Sequence, residues 1–398
     1  MKTFDFKFSL KKPDVFAITN SWPPMVSGHG RFFFQLLKNY DHKLVLAPTD
    51  NLSENSEDVL RLLRYSSINN PSKFKSLIQH LEILILPVFL ITKLKLKPRI
   101  VIASQVLFSG LAAYFINLIF KIPYIIVAHG EEFSIYHNKK IKFKYILAKI
   151  VSKKSNIIIC NTLNTSTIIE KFYSVEKSKM RIINPIVDFN ESILDHESIN
   201  LFKVKNFQDK KIILMTGRLY EERKGFDVAI DAFAKVKKQC PDVSLVIIGP
   251  GNNSKLYNLV VENNLIDDVH FLGKVDRKTL LKFYAICDVF LMPNRTLSNG
   301  DIEGFGLVFL EANMFGKPVI GGMSGGVTDA IENMISGLLV NGENVDEVSE
   351  SLLKLLLDDD LRMSLGVSAR RRLLSNFNEK TQTEKFHSVI NELLKNEN

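Results

Sequence analysis

Two glutamates eight residues apart bracket a glycine-rich turn in the second half of the chain. The segment 299–318 reads NGDIEGFGLVFLEANMFGKP, with Glu303 before the turn and Glu311 in the apolar run that follows. A carboxylate accepts hydrogen bonds from two neighbouring hydroxyls, such as those of a sugar or a ribose. Glycines let a backbone approach a ligand closely, and the start of a helix offers N–H groups to a phosphate. This pattern predicts a site for a sugar or a nucleotide.

The elements that must position these residues alternate between short β-branched strands and longer amphipathic helices. Near-continuous apolar strands separated by helices are typical of a parallel sheet covered on both faces. In the first half, the predicted strands are 14–19, 43–47, 99–103, 124–128 and 156–160. Helices are predicted between them, at 31–39, 71–96 with a break at Pro87, 107–120, 141–154 and 165–173.

The pattern then restarts after a polar segment, 188–209, which is the predicted linker. Strands are predicted at 211–216, 244–248, 270–272, 289–292 and 318–320, and from residue 346 onward everything is predicted to be helical. The fold class is therefore α/β, with two doubly wound domains in tandem. We place the first at 1–195, joined by a C-terminal helix at 379–398, and the second at 196–378. In such sheets, ligands bind at the carboxyl ends of the strands.

The stretch EGFGLVFLEANMFGKPVIGGMSGGVTDAI resembles the signature of family 4 retaining glycosyltransferases, with their E-x7-E motif. The resemblance covers most of 211–374 and continues more weakly through the first half. It implies the GT-B fold, in which two Rossmann-like domains face a central cleft. It also implies transfer of a sugar from GDP-mannose or a UDP-sugar to a glycan or lipid-linked acceptor, in cell-envelope polysaccharide or glycolipid synthesis. The HGEE and GGMSGGVTDA segments resemble mannosyltransferases of the phosphatidylinositol-mannoside type.

The resemblance also implies roles for the matching residues of the second domain. Gly217, Arg218 and Lys224, in the segment GRLYEERKG, would contact the donor. Arg218 and Lys224 would hold the nucleotide diphosphate and, with Glu303, take part in catalysis. Glu303 would contact the transferred sugar and Glu311 the ribose. The donor phosphate would meet the backbone amides of Gly304, Phe305, Gly306 and Leu307.

In the first domain, the loop WPPMVSGHGR resembles the glycine-rich loop of the family, and Gly28 is expected to present its backbone to the donor. The family usually carries two adjacent glycines there, and Ser27 takes the first place in this chain. By the same resemblance, His129 lies beside the donor sugar and the reaction centre. Glu131 and Glu132, which follow it, are candidate acceptor contacts.

Two other functions compete with this interpretation. The segment 322–326 matches the G-x-S-x-G pattern of a hydrolase nucleophile, and Asp346 and His387 would complete a triad around Ser324. A non-catalytic nucleotide-sugar-binding protein of the same fold is the other alternative. Its hallmark would be loss of the basic pair or of the two glutamates, and all four residues are present.

Neither a metal nor a cofactor is expected. The only D-x-D run, 358–360, lies between two helical stretches, where acidic residues complement a helix start. Three scattered cysteines are too few for a zinc cluster or a disulfide framework. The donor diphosphate can instead be met by basic side chains and helix termini.

The positive charge lies in the first half of the chain. Residues 1–200 carry 27 Lys and Arg against 16 Asp and Glu, whereas residues 201–398 carry 25 against 27. The segment 139–154, KKIKFKYILAKIVSKK, has seven lysines and no acid, with Phe143, Leu147, Ile150 and Val151 on one helical face. We expect that face to lie largely in the core and the lysines to meet an anionic membrane surface.

Nucleic acid is not an expected partner, because aromatic residues do not interleave the basic ones and no known module is present. The N-terminus lacks the apolar core of a secretory signal, and no run is long enough to span a bilayer. A cytoplasmic location is therefore expected, with peripheral contact at the inner face of the membrane.

Overall fold

The computed structural model divides the chain into two compact units, which are described separately. Unit 1 comprises residues 1–186 and 380–398, and unit 2 comprises residues 187–379. The division follows Ile186, whereas the sequence placed it after residue 195. The structure describes residues 13–22, 28–49, 59–63, 73–138, 142–187, 202–203, 207–208, 210–252 and 254–395. Most of the predicted linker, and residues 23–27 of the glycine-containing loop, lie outside these ranges.

A seven-stranded parallel sheet forms the centre of unit 1. Its strands are short and their middle residues are almost entirely apolar, so both faces of the sheet must be covered. The strand order is β3-β2-β1-β4-β5-β6-β7. Strands β2 and β3 are therefore added on one side of β1, and strands β4 to β7 are added on its other side. The strands are β1 (Val15–Ile18), β2 (Lys43–Thr49), β3 (Val59–Leu63), β4 (Ile100–Ala103), β5 (Tyr124–Ala128), β6 (Ile157–Cys160) and β7 (Met180–Ile182).

Helices cover the two faces of this sheet unequally. Buried side chains of α2, α3, α5 and α6 share one core with the sheet, and those of α1 and α14 share the core on the opposite face. The helices are α1 (Gly28–Leu37), α2 (Lys73–Lys93), α3 (Ser109–Phe120), α4 (Glu131–Asn138), α5 (Lys142–Lys154), α6 (Leu163–Tyr173) and, at the end of the chain, α14 (Glu379–Lys395). The last helix therefore completes the core of unit 1.

Unit 2 is built around a six-stranded parallel sheet with the order β10-β9-β8-β11-β12-β13. Its strands are β8 (Lys211–Thr216), β9 (Val243–Ile248), β10 (Val269–Gly273), β11 (Val289–Met292), β12 (Val319–Gly322) and β13 (Gly337–Val340). Its helices are α7 (Phe226–Gln239), α8 (Ser254–Glu262), α9 (Arg277–Ile286), α10 (Leu307–Met314), α11 (Val327–Ala330), α12 (Val345–Leu357) and α13 (Asp359–Asn376). Strand order reverses between β8 and β11, and a ligand crevice forms at such a reversal.

The predicted α/β fold class with two doubly wound domains is confirmed. Three strands were not predicted, β3, β7 and β13, and each of them lies at an edge of its sheet. The predicted break at Pro87 was wrong, since α2 continues through it to Lys93. Among the described residues, no helix is both long enough and apolar enough to cross a membrane.

Candidate functional site

The site in unit 2 lies where the strand order of its sheet reverses. The segment after β8 brings Lys224, and the loop after β11 brings Asn294 and Glu303. Because these two strands are neighbours and parallel, the loops at their carboxyl ends meet. Residues that are 79 positions apart in the sequence thereby come within hydrogen-bond distance.

Glu303 is the centre of this cluster. One of its carboxylate oxygens, Oε2, accepts hydrogen bonds from Arg223 Nη1 at 3.0 Å, Lys224 Nζ at 3.3 Å and Asn294 Nδ2 at 3.3 Å. Burial by itself raises the pKa of Glu303, but the charges of Lys224 and Arg223 outweigh that effect and hold the pKa below its usual value. Glu303 is therefore an ionised acceptor at neutral pH and has no proton to donate.

Arg223 was not among the predicted site residues, yet it makes more ionic contacts than any predicted one. Only 7% of its side chain is exposed, and its guanidinium lies 3.3 Å from Glu221, 3.2 Å from Asp301 and 3.0 Å from Glu303. A guanidinium presents donors in several directions within one plane, so it can bind several carboxylates at once. Its only signal in the sequence is its position directly before Lys224.

The two predicted cations of this segment differ in their surroundings. Lys224 is buried, and its Nζ lies 3.3 Å from Glu303 and 3.6 Å from Glu221. Arg218 is 56% exposed, pairs with Glu221 and lies over the ring of Tyr220. Glu221 thus bridges both predicted cations, and Arg218 is on the solvent side of the cluster.

Two glycines in the segment after β8 allow neighbouring groups to pack closely against their backbone. A Cβ on Gly217 would lie 2.6 Å from Cδ of Lys224, so the bare glycine leaves the path that the lysine side chain follows. Gly225 has a φ of +69°, and a Cβ there would lie 2.2 Å from the carbonyl oxygen of Pro293. Gly225 therefore lets the chain turn into α7 directly against the end of β11.

Glu311, the second glutamate of the motif, is buried in its own network. Its Oε1 accepts from Arg277 Nη1 at 2.8 Å, and its Oε2 accepts from the Tyr284 hydroxyl at 2.9 Å. The Tyr284 oxygen also lies 3.1 Å from the Thr216 hydroxyl. Burial and the neighbouring carboxylate raise the pKa of Tyr284 well above its usual value, so its proton stays in place. Arg277 and Tyr284 were not predicted.

The turn between the two glutamates leads into α10. Gly306 has a φ of +90° and is the residue from which the helix starts at Leu307. The first amides of a helix have no partners inside it and can bind an anion. Phe305 is buried and packs on Phe377, so this residue can offer a ligand only its backbone. Gly304 contributes a backbone hydrogen bond that also lowers the pKa of Glu303.

The glycine-rich segment 322–326 packs against this turn. A Cβ on Gly325 would lie 2.2 Å from the carbonyl oxygen of Glu303, and the Gly326 amide donates to that oxygen at 2.8 Å. A Cβ on Gly322 would lie 1.9 Å from the carbonyl oxygen of Asn294. Close packing against the backbone therefore explains why Gly322 and Gly325 carry no side chain. The hydroxyls of Ser324 and Thr296 lie 3.0 Å apart, and Asp346 pairs with Lys235.

In unit 1, His129 follows β5 and is almost fully buried, with 2% of it exposed. Its Nε2 lies 2.8 Å from the carbonyl oxygen of Ser104. A carbonyl can only accept, so Nε2 carries the proton and Nδ1 is left as the acceptor. Burial lowers the pKa of His129 to about 4. The ring is therefore neutral at physiological pH and has no acidic proton to give to a leaving group.

The residues around His129 divide into ring contacts and turn contacts. His29, for which no role was predicted, stacks on the His129 ring with 4.2 Å between centroids, and its Nε2 lies 4.0 Å from Glu131. Glu132 accepts from the His129 amide at 3.0 Å, so it is part of the turn itself. Burial raises the pKa of Glu132. A Cβ on Gly28, at the start of α1, would meet open space.

No group of three or more His, Cys, Asp or Glu side chains within the described ranges has the arrangement to hold a metal ion. Cys160 and Cys287 are buried thiols, and Cys240 is half-buried and also unpaired with another cysteine.

The fold of the chain is the GT-B fold. Solved structures with the GT-B glycosyltransferase fold superpose on nearly the whole chain. Sucrose-phosphate synthase from Thermosynechococcus elongatus has a TM-score of 0.79 at 18% identity, covering 96% of this chain and 99% of that one. HepE from Anabaena, solved in complex with UDP, has a TM-score of 0.76 at 18% identity, covering 95% of this chain and 99% of that one.

The sequence of unit 2 matches a known family. Residues 197–372 match the family described as Glycosyl transferases group 1. This match covers less than half of the chain, and together with the GT-B fold it confirms the predicted resemblance.

Curated relatives include mannosyltransferases. The GDP-mannose-dependent alpha-(1-6)-phosphatidylinositol monomannoside mannosyltransferase of Mycobacterium tuberculosis is 38% identical over 150 residues, which are 37% of this chain and 39% of the relative. A D-inositol 3-phosphate glycosyltransferase of Jonesia denitrificans is 32% identical over 233 residues, 56% of this chain and 53% of the relative. The chain thus covers about half or less of the length of these relatives.

Proposed function

We propose that the protein is a retaining glycosyltransferase that moves a sugar from a nucleotide-diphosphate-sugar to a glycan or lipid-linked acceptor without a metal ion. The observation that carries the proposal is the convergence of Lys224, Arg223 and the ionised Glu303 at the strand reversal of unit 2. A diphosphate needs fixed cations, and a sugar ring needs an acceptor for its hydroxyls. This cluster supplies both within one hydrogen-bond network.

In the proposed reaction, the bond between the anomeric carbon and the donor phosphate breaks, and charge develops on the diphosphate. Lys224, Arg218 and the first amides of α10 stabilise that charge more in the transition state than in the ground state. The acceptor oxygen bonds to the anomeric carbon on the face that the phosphate leaves. Its proton passes to the leaving phosphate, which is why the site needs no side chain that donates a proton.

Glu303 and Glu311 take different parts of the donor in this proposal. Glu303, held ionised by its cations, accepts from hydroxyls of the transferred sugar. Glu311 accepts from the ribose, which would replace or share the hydrogen bonds that Arg277 and Tyr284 now make to it. In unit 1, neutral His129 is proposed to accept a hydrogen bond from a hydroxyl group. Glu131 is proposed to contact the acceptor substrate.

The donor is proposed to be GDP-mannose or a UDP-sugar. Relatives named as GDP-mannose-dependent support the first, and structural neighbours solved with UDP are consistent with the second. We propose that the protein acts at the cytoplasmic face of the membrane. There it would take part in the synthesis of envelope polysaccharides or glycolipids. Relatives that are phosphatidylinositol monomannoside mannosyltransferases support a lipid-linked acceptor.

The test begins with the thermal unfolding of the full chain in a panel of GDP- and UDP-sugars. A ligand at 100 times its dissociation constant stabilises by about 2.7 kcal/mol, which is readily measured. The best donor is then incubated with short glycan and lipid acceptors, and the anomeric configuration of the product is determined. Retention supports the proposal, whereas an inverted product overturns the mechanism. Binding without transfer to any acceptor favours the non-catalytic alternative.

A further inference from the structure

Three helices of unit 1 carry large apolar side chains on their outer surfaces. Exposed apolar residues follow helical spacing on each of them, so each helix has an outward apolar stripe in addition to its buried one. The stripes consist of Ile85 and Phe89 on α2, Phe115, Leu118 and Ile119 on α3, and Phe143, Ile146 and Ile150 on α5. We define these eight residues as the apolar surface of unit 1.

The three stripes lie on the same side of the molecule. Inward residues of the three helices, Ile83, Ile116 and Val151 among them, pack in one core against one face of the sheet. In addition, α3 contacts both α2 and α5. Their outward stripes therefore face away from the same core and lie on neighbouring helices.

This arrangement corrects the expectation for α5. The sequence placed Phe143, Leu147, Ile150 and Val151 on a face that lies largely in the core. In the structure Val151 is buried, but Phe143 is 72% exposed, and Ile146 and Ile150 are exposed as well. The reason is that α5 uses a narrow inner line, around Ala148 and Val151, to pack on its neighbours.

The charges on the segments that carry the apolar surface are almost all positive. The described segments 82–97, 109–121 and 142–154 contain nine lysines and one acidic residue, Glu82. Within α3 itself there is no charged side chain at all. Monomeric proteins rarely expose a large contiguous apolar patch without a partner. Lysine is depleted in interfaces between proteins, whereas lysines at the rim of an apolar face are typical of contact with anionic lipid.

We propose that this apolar surface inserts into the interfacial layer of an anionic lipid bilayer, with the surrounding lysines against the headgroups. Aromatic and aliphatic side chains of α3 and α5 enter the acyl boundary. Lys142, Lys144 and Lys153 remain at headgroup level. The contact is peripheral, and it does not depend on which nucleotide-sugar or acceptor the protein uses.

The experiment measures binding of the full chain to vesicles of phosphatidylcholine alone and of phosphatidylcholine with phosphatidylglycerol. The apolar variant is F143S/I146S/I150S, and the basic variant is K142Q/K144Q/K153Q. The matched control, L357S/M363S/V367S, removes three exposed apolar side chains from helices of unit 2. All nine positions are exposed, so each variant is expected to fold, and its melting curve verifies this.

Wild type and control are expected to bind anionic vesicles equally. The basic variant loses roughly fivefold in affinity for each lysine removed, and only for anionic vesicles. The apolar variant loses at least about tenfold, since burying even one large apolar side chain is worth that much. A Phe143→Trp variant gives a blue-shifted emission on vesicles, against the constant background of Trp22, the one natural tryptophan.

Three outcomes overturn the inference. One is absence of binding to anionic vesicles, and another is an apolar variant that binds like the wild type. The third is a concentration-dependent dimer of the wild type that the apolar variant abolishes, because a second copy would then cover the surface. Nucleotide-sugar binding is measured in parallel without lipid. If that binding is absent while vesicle binding follows the pattern above, the proposed function fails and the membrane surface stands.

Discussion

The carboxyl edges of the two sheets present opposite chemistry on the same kind of scaffold. In unit 2 that edge holds buried ions, with Arg223 and Lys224 against Glu303. In unit 1 it holds the buried neutral ring of His129, which binds the backbone carbonyl of Ser104, while the Asn161 side chain donates to the backbone carbonyl of His129 itself. A parallel sheet fixes where the loops meet, and the residues placed in those loops decide what the edge can bind.

The difference follows from how each buried group is balanced. Glu303 stays charged because two cations lie within 3.3 Å of it, which outweighs its loss of hydration. No charged partner offsets the burial of His129 among the causes that set its pKa, so the ring gives up its proton. The edge in unit 2 therefore suits a charged ligand such as a diphosphate, and the edge in unit 1 suits hydroxyl groups.

Substitution of Arg223 in the charged cluster of unit 2 is expected to have the largest effect on stability. Arg223→Ala leaves Glu221, Asp301 and Glu303 without their common partner in a buried place, and breaking a buried pair in this way costs about 3–5 kcal/mol. Denaturant unfolding measures it. The control is Arg181→Ala in unit 1, where the ion pair with Glu392 is partly exposed and worth about 0–1 kcal/mol. If both variants lose the same free energy of unfolding, Arg223 does not stabilise the three carboxylates as a group.

Lys224→Ala is expected to lower turnover by ~10²–10³, the scale for losing one preorganised electrostatic donor. Arg218→Ala lowers it by less, because Arg218 is solvent-exposed and its charge is screened. Steady-state kinetics with the cognate donor checks both. Lys235→Ala, which breaks an exposed pair with Asp346, serves as the control and keeps wild-type turnover. A Lys224 variant as active as this control would rule out a role for the charged edge in catalysis.

For the neutral edge, the prediction concerns pH. His129 has a folded pKa of about 4 against an ordinary value of 6.5. Between these values the unfolded chain binds more protons, so the free energy of unfolding falls as pH decreases from 6.5 to 4. The full effect is about 3 kcal/mol. The stability difference between wild type and His129→Gln should shrink by that amount over this window and stay constant above pH 7. A difference that is constant throughout would mean that folding leaves the pKa of His129 unchanged.

The smallest effect is expected inside the network around Glu311. Tyr284→Phe removes one of its two hydrogen-bond donors, and a hydrogen bond to a charged group is worth about 1.5–3 kcal/mol. Thermal unfolding should show that loss, and nucleotide binding should weaken with it. Tyr257→Phe, on an exposed face of α8, is the matched control. An unchanged melting temperature for Tyr284→Phe would mean that Arg277 alone holds Glu311.

The sequence by itself determined most strands of both sheets to within a residue or two, and with them the positions of the loops that follow. Alternation of apolar strands with amphipathic helices is a local property, so Lys211–Thr216 and Val289–Met292 were predicted with the bounds that the structure has. Lys224, Glu303 and Glu311 were identified because they stand in a motif with recognisable spacing. The strands β3, β7 and β13 were not predicted, since short strands near a sheet edge depend on their neighbours for hydrogen bonds.

Only the tertiary structure decided which side chains meet. Arg223 contacts three carboxylates from two separate loops, and His29 on α1 stacks on His129 in the loop after β5. The sequence shows neither, because contacts between loops follow from the strand order and not from spacing along the chain. The same holds for α5. Its periodicity fixes which residues share a face, but the helices packed beside it decide how much of that face is covered, and here Phe143, Ile146 and Ile150 stay exposed.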